Sequence, residues 1–142
     1  MSAAGAAVGH LRAAGFLTAK VAYDGTDFHG FQIQVGQRTI QGELEATLAK
    51  ITQAETRVTG AGRTDSGVHA LGQVVAFHSG WQHSIDALHR GWNALLAQDV
   101  TILSLTRAQE GFHPRFSAKS RLYRYTIWNH PIRNPLLRRT AF

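Results

Sequence analysis

The order in which two hydrophobic periodicities alternate constrains this chain more than any other feature. Residues Phe16 to Tyr23 alternate in the way a half-buried strand does. Ile40, Leu44, Leu48 and Ile51 then recur at helical spacing, with Thr39 placed to cap the first turn. A short strand pattern over Glu55 to Ala61 runs into a glycine-punctuated turn over Gly60 to Gly67, and Gln73 to His78 reads as a strand again. Ser84 is placed to cap a second helix that carries Ile85, Leu88, Trp92 and Leu96 inward. Val100 to Leu105 and Leu122 to Trp128 complete the expected strands. Strand, helix, strand, strand, helix, strand, with one further strand, is the α+β order of a ferredoxin-like fold. An antiparallel sheet with two helices packed on one face is therefore expected, its other face open to a partner.

Composition narrows the classes that remain. Of 142 residues, 44% are hydrophobic and 17% charged, which excludes a disordered, highly charged chain. No apolar run approaches the roughly 20 residues of a membrane-spanning helix, so no membrane association is expected. Cysteine is absent, which rules out disulfides, a thiol nucleophile and thiolate metal sites. Residues Met1 to Gly15 are mostly Ala and Gly without the apolar stretch of a secretory signal. They are expected to form a flexible extension ahead of a domain over residues 16–142. The formal charge is +6, and between Arg115 and Arg139 stand seven basic residues and no acidic one. Such a segment attracts nucleic-acid phosphate, and it is equally the pattern of a solvated basic surface.

The densest local signal is G-A-G-R-T-D-S-G-V-H, from Gly60 to His69. Its glycines allow tight curvature around Asp65, which stands two residues after Arg63. A charged, accessible carboxylate beside a guanidinium is suited to act as nucleophile or base. The same residues also fit an Asx-turn aspartate that only bonds its own loop. Ahead of this turn, Asp24 to Arg38 forms a connection longer than most in compact domains, a length typical of functional loops. Later, Arg115, Lys119, Arg121 and Arg124 alternate with Phe116, Leu122, Tyr123 and Tyr125. On strands this spacing puts cations on one face with aromatics between them, although ordinary polar-out alternation looks the same.

These stretches together resemble the tRNA pseudouridine synthase A family. The resemblance runs from about Leu17 to the end of the chain. It rests on Y-D-G-T-D-F-H-G-F-Q (Tyr23 to Gln32), Gly60 to His69, G-Q-V-V-A-F (Gly72 to Phe77), F-H-P-R-F-S-A (Phe112 to Ala118) and L-Y-R-Y (Leu122 to Tyr125), in that order. It implies an isomerase, without cofactor or metal, that converts uridine to pseudouridine at positions 38, 39 and 40 of the tRNA anticodon stem-loop. By the resemblance, Asp65 is the catalytic aspartate, Arg63 pairs with it and helps displace the target base, and Tyr123 packs on the flipped uracil. Extracting a base from its stack costs a few kcal/mol, and an aromatic ring beneath the extruded base offsets part of that. The long loop, with His29 and Gln32, is implied to grip RNA, while Arg115 and Arg124, among the alternating cations, are expected to contact phosphate. A cytoplasmic homodimer acting on tRNA is the implied setting.

The sequence departs from the family pattern in places. Phe31 stands where Trp is usual, Ser66 where Ala is common, and Leu95 and Ala97 replace an Asn and a Pro near the end of the second helix. Family members also carry a second half of comparable size. This chain is accordingly expected to be an amino-terminal half, one that alone binds RNA weakly and turns over little. The competing reading is a non-catalytic RNA-binding module of the same fold, but Gly72 to Phe77 lacks the aromatic pair of an RNA-recognition motif. A phosphoryl-acceptor role for Asp65 needs a magnesium-binding acidic cluster, which only Asp24 and Asp27 can supply. Eight histidines invite a metal reading, yet no His/Glu pair has zincin spacing, and no metal is expected.

Overall fold

The computed structural model describes residues 14–109 and 111–141. The extension expected over Met1 to Gly15 thus lies, apart from its last two residues, outside the described residues. The elements are β1 (Gly15–Tyr23), α1 (Ile40–Thr52), β2 (Thr59–Gly60), β3 (Ala70–Ser79), α2 (Ile85–Leu95) and β4 (Val100–Arg107). Two short 3₁₀ turns, Gly25–Asp27 and Pro135–Leu137, stand outside them. The sheet runs β2-β3-β1-β4 with every pairing antiparallel. This is the ferredoxin-like order, with the first strand at the centre. No helix among the described residues is long and apolar enough to cross a membrane.

Local chemistry starts both helices where the sequence marks them. Thr39 accepts a hydrogen bond from the Gly42 amide through its side chain, and Ser84 accepts from the Ala87 amide. Each cap satisfies an amide that the first helical turn leaves without a partner. Ile40, Leu44 and Leu48 on α1 meet Ile85, Leu88 and Trp92 on α2 above Leu17, Val21, Val75, Phe77 and Ile102 of the sheet. The Phe77 and Trp92 rings meet edge to face, 5.3 Å between centroids. Leu96, expected on α2, is buried just past its end.

Two expectations are corrected. The strand pattern over Glu55 to Ala61 shortens to Thr59–Gly60, because helix side chains occupy the backbone groups of Val58. Its amide donates to the Glu45 carboxylate at 2.9 Å, and its carbonyl accepts from the Gln41 amide at 3.0 Å. Leu122 to Trp128 is not a strand: the segment runs along the surface, and Leu122, Tyr125 and Ile127 are exposed. Alternation makes a strand only where a ladder receives it, and this one pairs with no sheet edge. Its end folds on itself, the Trp128 indole donating to the Ile132 carbonyl. Elsewhere β3 and β4 run longer than their hydrophobic cores suggested.

One buried polar link joins the helices. The Thr47 hydroxyl donates to the Glu43 carbonyl at 2.8 Å and accepts from the Trp92 indole at 2.9 Å. Thr47→Val keeps the shape but leaves that indole N–H unpaired in the core, a loss of about 1–3 kcal/mol. Thr47→Ser keeps both bonds and is expected to cost roughly one buried methyl group, near 0.8 kcal/mol. Urea unfolding of the two variants checks this; equal midpoints for Val and wild type would count against it.

Candidate active site

The Gly60 to His69 segment leaves β2, crosses the end of the sheet and enters β3. The Ala61 amide extends the ladder by donating to the Val74 carbonyl at 2.8 Å, and the Gln73 side chain donates to the Gly62 carbonyl at 2.9 Å. The long loop after β1 then closes over the turn. The Phe31 amide donates to the Thr64 carbonyl at 3.0 Å, the Gly67 amide to the Phe28 carbonyl at 3.2 Å, and the Ser66 hydroxyl to the same carbonyl at 3.3 Å. The Tyr23 hydroxyl lies 2.8 Å from that of Thr64, and burial pushes the phenol above its ordinary range.

Two glycines permit this approach. A Cβ on Gly25 would stand 2.0 Å from the Val68 carbonyl oxygen, and one on Gly30 would stand 2.8 Å from that of Thr64. Gly30 also has φ +80, which side chains rarely adopt. Thr64, Ser66 and Gly67 are thereby fixed while Asp65 between them stays exposed. Among the described residues, no hydrogen bond or ion pair engages the Asp65 carboxylate, so it is not the self-bonding Asx-turn residue of the alternative reading. Asp24 is: it accepts from the Thr26 amide and hydroxyl, and these bonds hold its carboxyl below the usual range. Arg63 is exposed and forms no described ion pair with Asp65.

Arg63 instead lines an open cavity of about 620 Å³ with Ala61, Gly62, Arg115, Phe116, Arg121 and Tyr123. Tyr123 is 64% exposed there, its ring presented to solvent. An adjoining hollow of about 320 Å³ shares Arg63, Arg115 and Phe116 and adds Gln32, Gln41 and His113 among its walls. Among the described residues, no acid lines either. Of the residues singled out in the sequence, Arg63, Tyr123, Arg115 and Gln32 thus come together. Asp65, His29 and Arg124 are exposed but line neither hollow.

Two residues shape these walls: His113, to which sequence reasoning gave no role, and Arg121, which it counted only among the alternating cations. The His113 imidazole accepts from the amides of Arg115 and Phe116 and stacks on the Phe116 ring at 4.4 Å, holding the bend that presents both. Arg121 donates to the Ala61 carbonyl at 2.8 Å, fastening the basic segment beside the turn. The available signal was the spacing in Phe112 to Ala118, where a histidine precedes proline and arginine. At the far end of the long loop, Arg38 makes a two-pronged pair with Asp99, both contacts 2.9 Å, and lies 3.9 Å over the Phe28 ring. Among the described residues, no group of three or more His, Asp or Glu gathers as metal ligands do.

A sequence profile described as tRNA pseudouridine synthase matches residues 19–117. The tRNA pseudouridine synthase A of Dictyoglomus turgidum is 49% identical over 123 residues, covering 84% of this chain and 49% of that protein. The enzyme of the same name from Roseiflexus sp. is 46% identical over 122 residues, covering 86% and 45%, and that of Borrelia hermsii is 44% identical over 114 residues, covering 80% and 46%. The chain spans about half the length of these curated relatives. Because the matched stretch takes in all of the sheet but the start of β1, both helices and the turn bearing Arg63 and Asp65, the chain belongs to the tRNA pseudouridine synthase family.

Proposed function

We propose that this chain supplies the catalytic aspartate of an enzyme that isomerises uridine to pseudouridine in tRNA. The observation that carries the reading is the Asp65 carboxylate, exposed and unengaged on a turn fixed on both sides, in a chain of this family. The reaction breaks the bond between uracil N1 and ribose C1′, turns the base, and joins C5 to C1′. The proton on C5 leaves to solvent and N1 gains one, so no oxidant or reductant is consumed. Asp65 acts on the nucleotide as nucleophile or by assisting glycosidic cleavage. Arg63 enters the stack that the base vacates, and Tyr123 packs on the extruded uracil.

The cavity chemistry supports these roles. A volume of about 620 Å³ lies within the usual range for small-ligand sites, and its walls combine guanidinium groups with aromatic rings. Aromatic faces receive unstacked bases and cations receive the phosphates around them. Arg115 faces both hollows and is the better placed phosphate contact; Arg124 and His29 take part only with RNA that extends past these walls. Positions 38, 39 and 40 of the anticodon stem-loop, and a homodimer, belong to this reading through the family resemblance.

In the full-length protein, Asp65→Asn is expected to abolish tritium release from tRNA labelled at uracil C5 while tRNA binding survives. Undiminished release would remove Asp65 from the chemistry. Binding without any release by the unaltered protein would favour the RNA-binding module instead. Arg115→Ala is expected to lower tRNA affinity and flatten its dependence on salt by about one phosphate contact, a log–log slope smaller by roughly 0.7–0.9. A titration of affinity against salt concentration decides it, and an unchanged slope would retire the contact.

A further inference from the structure

The histidine that ends the glycine-rich motif has no part in the chemistry just described, yet both its ring nitrogens are engaged. Nδ1 accepts from the Gly25 amide at 3.0 Å, and Nε2 faces the Arg139 carbonyl at hydrogen-bond distance. A nitrogen that accepts from an amide carries a lone pair, and one bonded to a carbonyl carries a proton. The ring is therefore the neutral Nε2–H tautomer. Asp24 lies 3.2 Å from Nδ1, but in this tautomer that nitrogen has no proton to offer it. Arg139, whose guanidinium reaches Asp24 at 3.7 Å, is the other charged group facing the ring.

We propose that His69 is a positioning residue for Asp65, holding the catalytic turn through the Gly25 amide and the Arg139 carbonyl. This rests on the reading of Asp65 given above. The route is a short chain of bonds. His69 holds the amide of Gly25, and the carbonyl of Gly25 accepts from the Phe28 amide at 3.0 Å, which closes the 3₁₀ turn between them. The Phe28 carbonyl in turn receives the Ser66 hydroxyl and the Gly67 amide, the two residues that follow Asp65. Gly25 is also the residue pressed against the Val68 carbonyl, next to His69 itself. Releasing Gly25 loosens both supports at once, and misplacing a reacting group by about 1 Å costs up to roughly a hundredfold in rate.

Two substitutions separate positioning from mere packing. The Asn side-chain oxygen stands where Nδ1 does and accepts from Gly25; the Gln side-chain amide reaches the Nε2 place but leaves Gly25 unpaired. In this chain, His69→Gln is expected to speed hydrogen exchange at Gly25 and at Val68, whose amide donates to the Asp65 carbonyl at 3.1 Å. His69→Asn is expected to keep both protected. In the full-length enzyme, His69→Gln is expected to lower kcat about ten- to a hundredfold with little change in KM for tRNA, and His69→Asn to recover most of that loss. Nitrogen NMR of the unaltered protein reads the tautomer directly. An Nδ1–H ring, or a Gln variant protected like wild type at Gly25 and Val68, or an Asn variant as damaged as the Gln one, would overturn the proposal. If the unaltered enzyme releases no tritium, the functional reading fails, while tautomer and exchange still decide the role of His69.

Discussion

Backbone meets backbone at two glycines, and the candidate site depends on those meetings. At Gly25 and Gly30 the long loop comes so near the Gly60 to His69 turn that a single added carbon would strike the Val68 or the Thr64 carbonyl. The amides and carbonyls of Phe28 and Phe31 can then bond directly to Thr64 and Gly67. Glycine loses more freedom on folding than other residues, so such contacts are costly to order. The return is an exposed carboxylate held in place entirely by its neighbours. Asp65 needs no bond of its own side chain to stay in place, and its oxygens remain available.

The loop that performs this clamping is itself tied to the core at several points. Tyr23, at the end of the central strand, reaches Thr64, and Phe28 and Phe31 are buried with the sheet and helix residues. Asp99, between α2 and β4, receives the Asp24 amide through its carbonyl and the Arg38 guanidinium through its carboxylate. The two ends of a connection from residue 24 to residue 38 are thus fixed to one residue. Closing a long loop carries an entropic cost that rises slowly with length, so a few anchors of this kind suffice to order it. Rigidity at the turn therefore traces back through the loop to the central strand.

What was legible in the sequence was local. Thr39 and Ser84 announce helices because a cap acts within three residues, and the α1 and α2 faces follow from spacing alone. Asp65 and Arg63 stand out because the glycines that shape their turn are adjacent in the chain. The failures are all non-local. Nothing near Val58 reveals that Glu45 and Gln41 will take its backbone groups, so β2 reads too long. Leu122 to Trp128 has the alternation of a strand, but a ladder needs a partner edge, and pattern cannot supply one. Loss of that strand also explains why Arg121 and Arg124, three residues apart, differ: one is fastened to Ala61 and lines the cavity, the other does neither.

The distribution of acids sharpens the electrostatic argument. Asp24 is held by Thr26, Asp99 by Arg38, Glu43 by the Ala97 amide and Glu45 by the Val58 amide, so four carboxylates serve structure. None of them lines the cavity, where Arg63, Arg115 and Arg121 gather. Arg121 directs donors to the Ala61 and Arg115 carbonyls, which leaves Arg63 and Arg115 as the cavity-lining guanidinium groups with no described hydrogen bond. Like charges brought together without counter-charge repel, and the repulsion falls when a polyanion arrives and releases its own counterions. An acid placed among them would cancel the attraction. Asp65 sits on the same turn as Arg63 but outside the walls, so its carboxylate does not stand among the cations there.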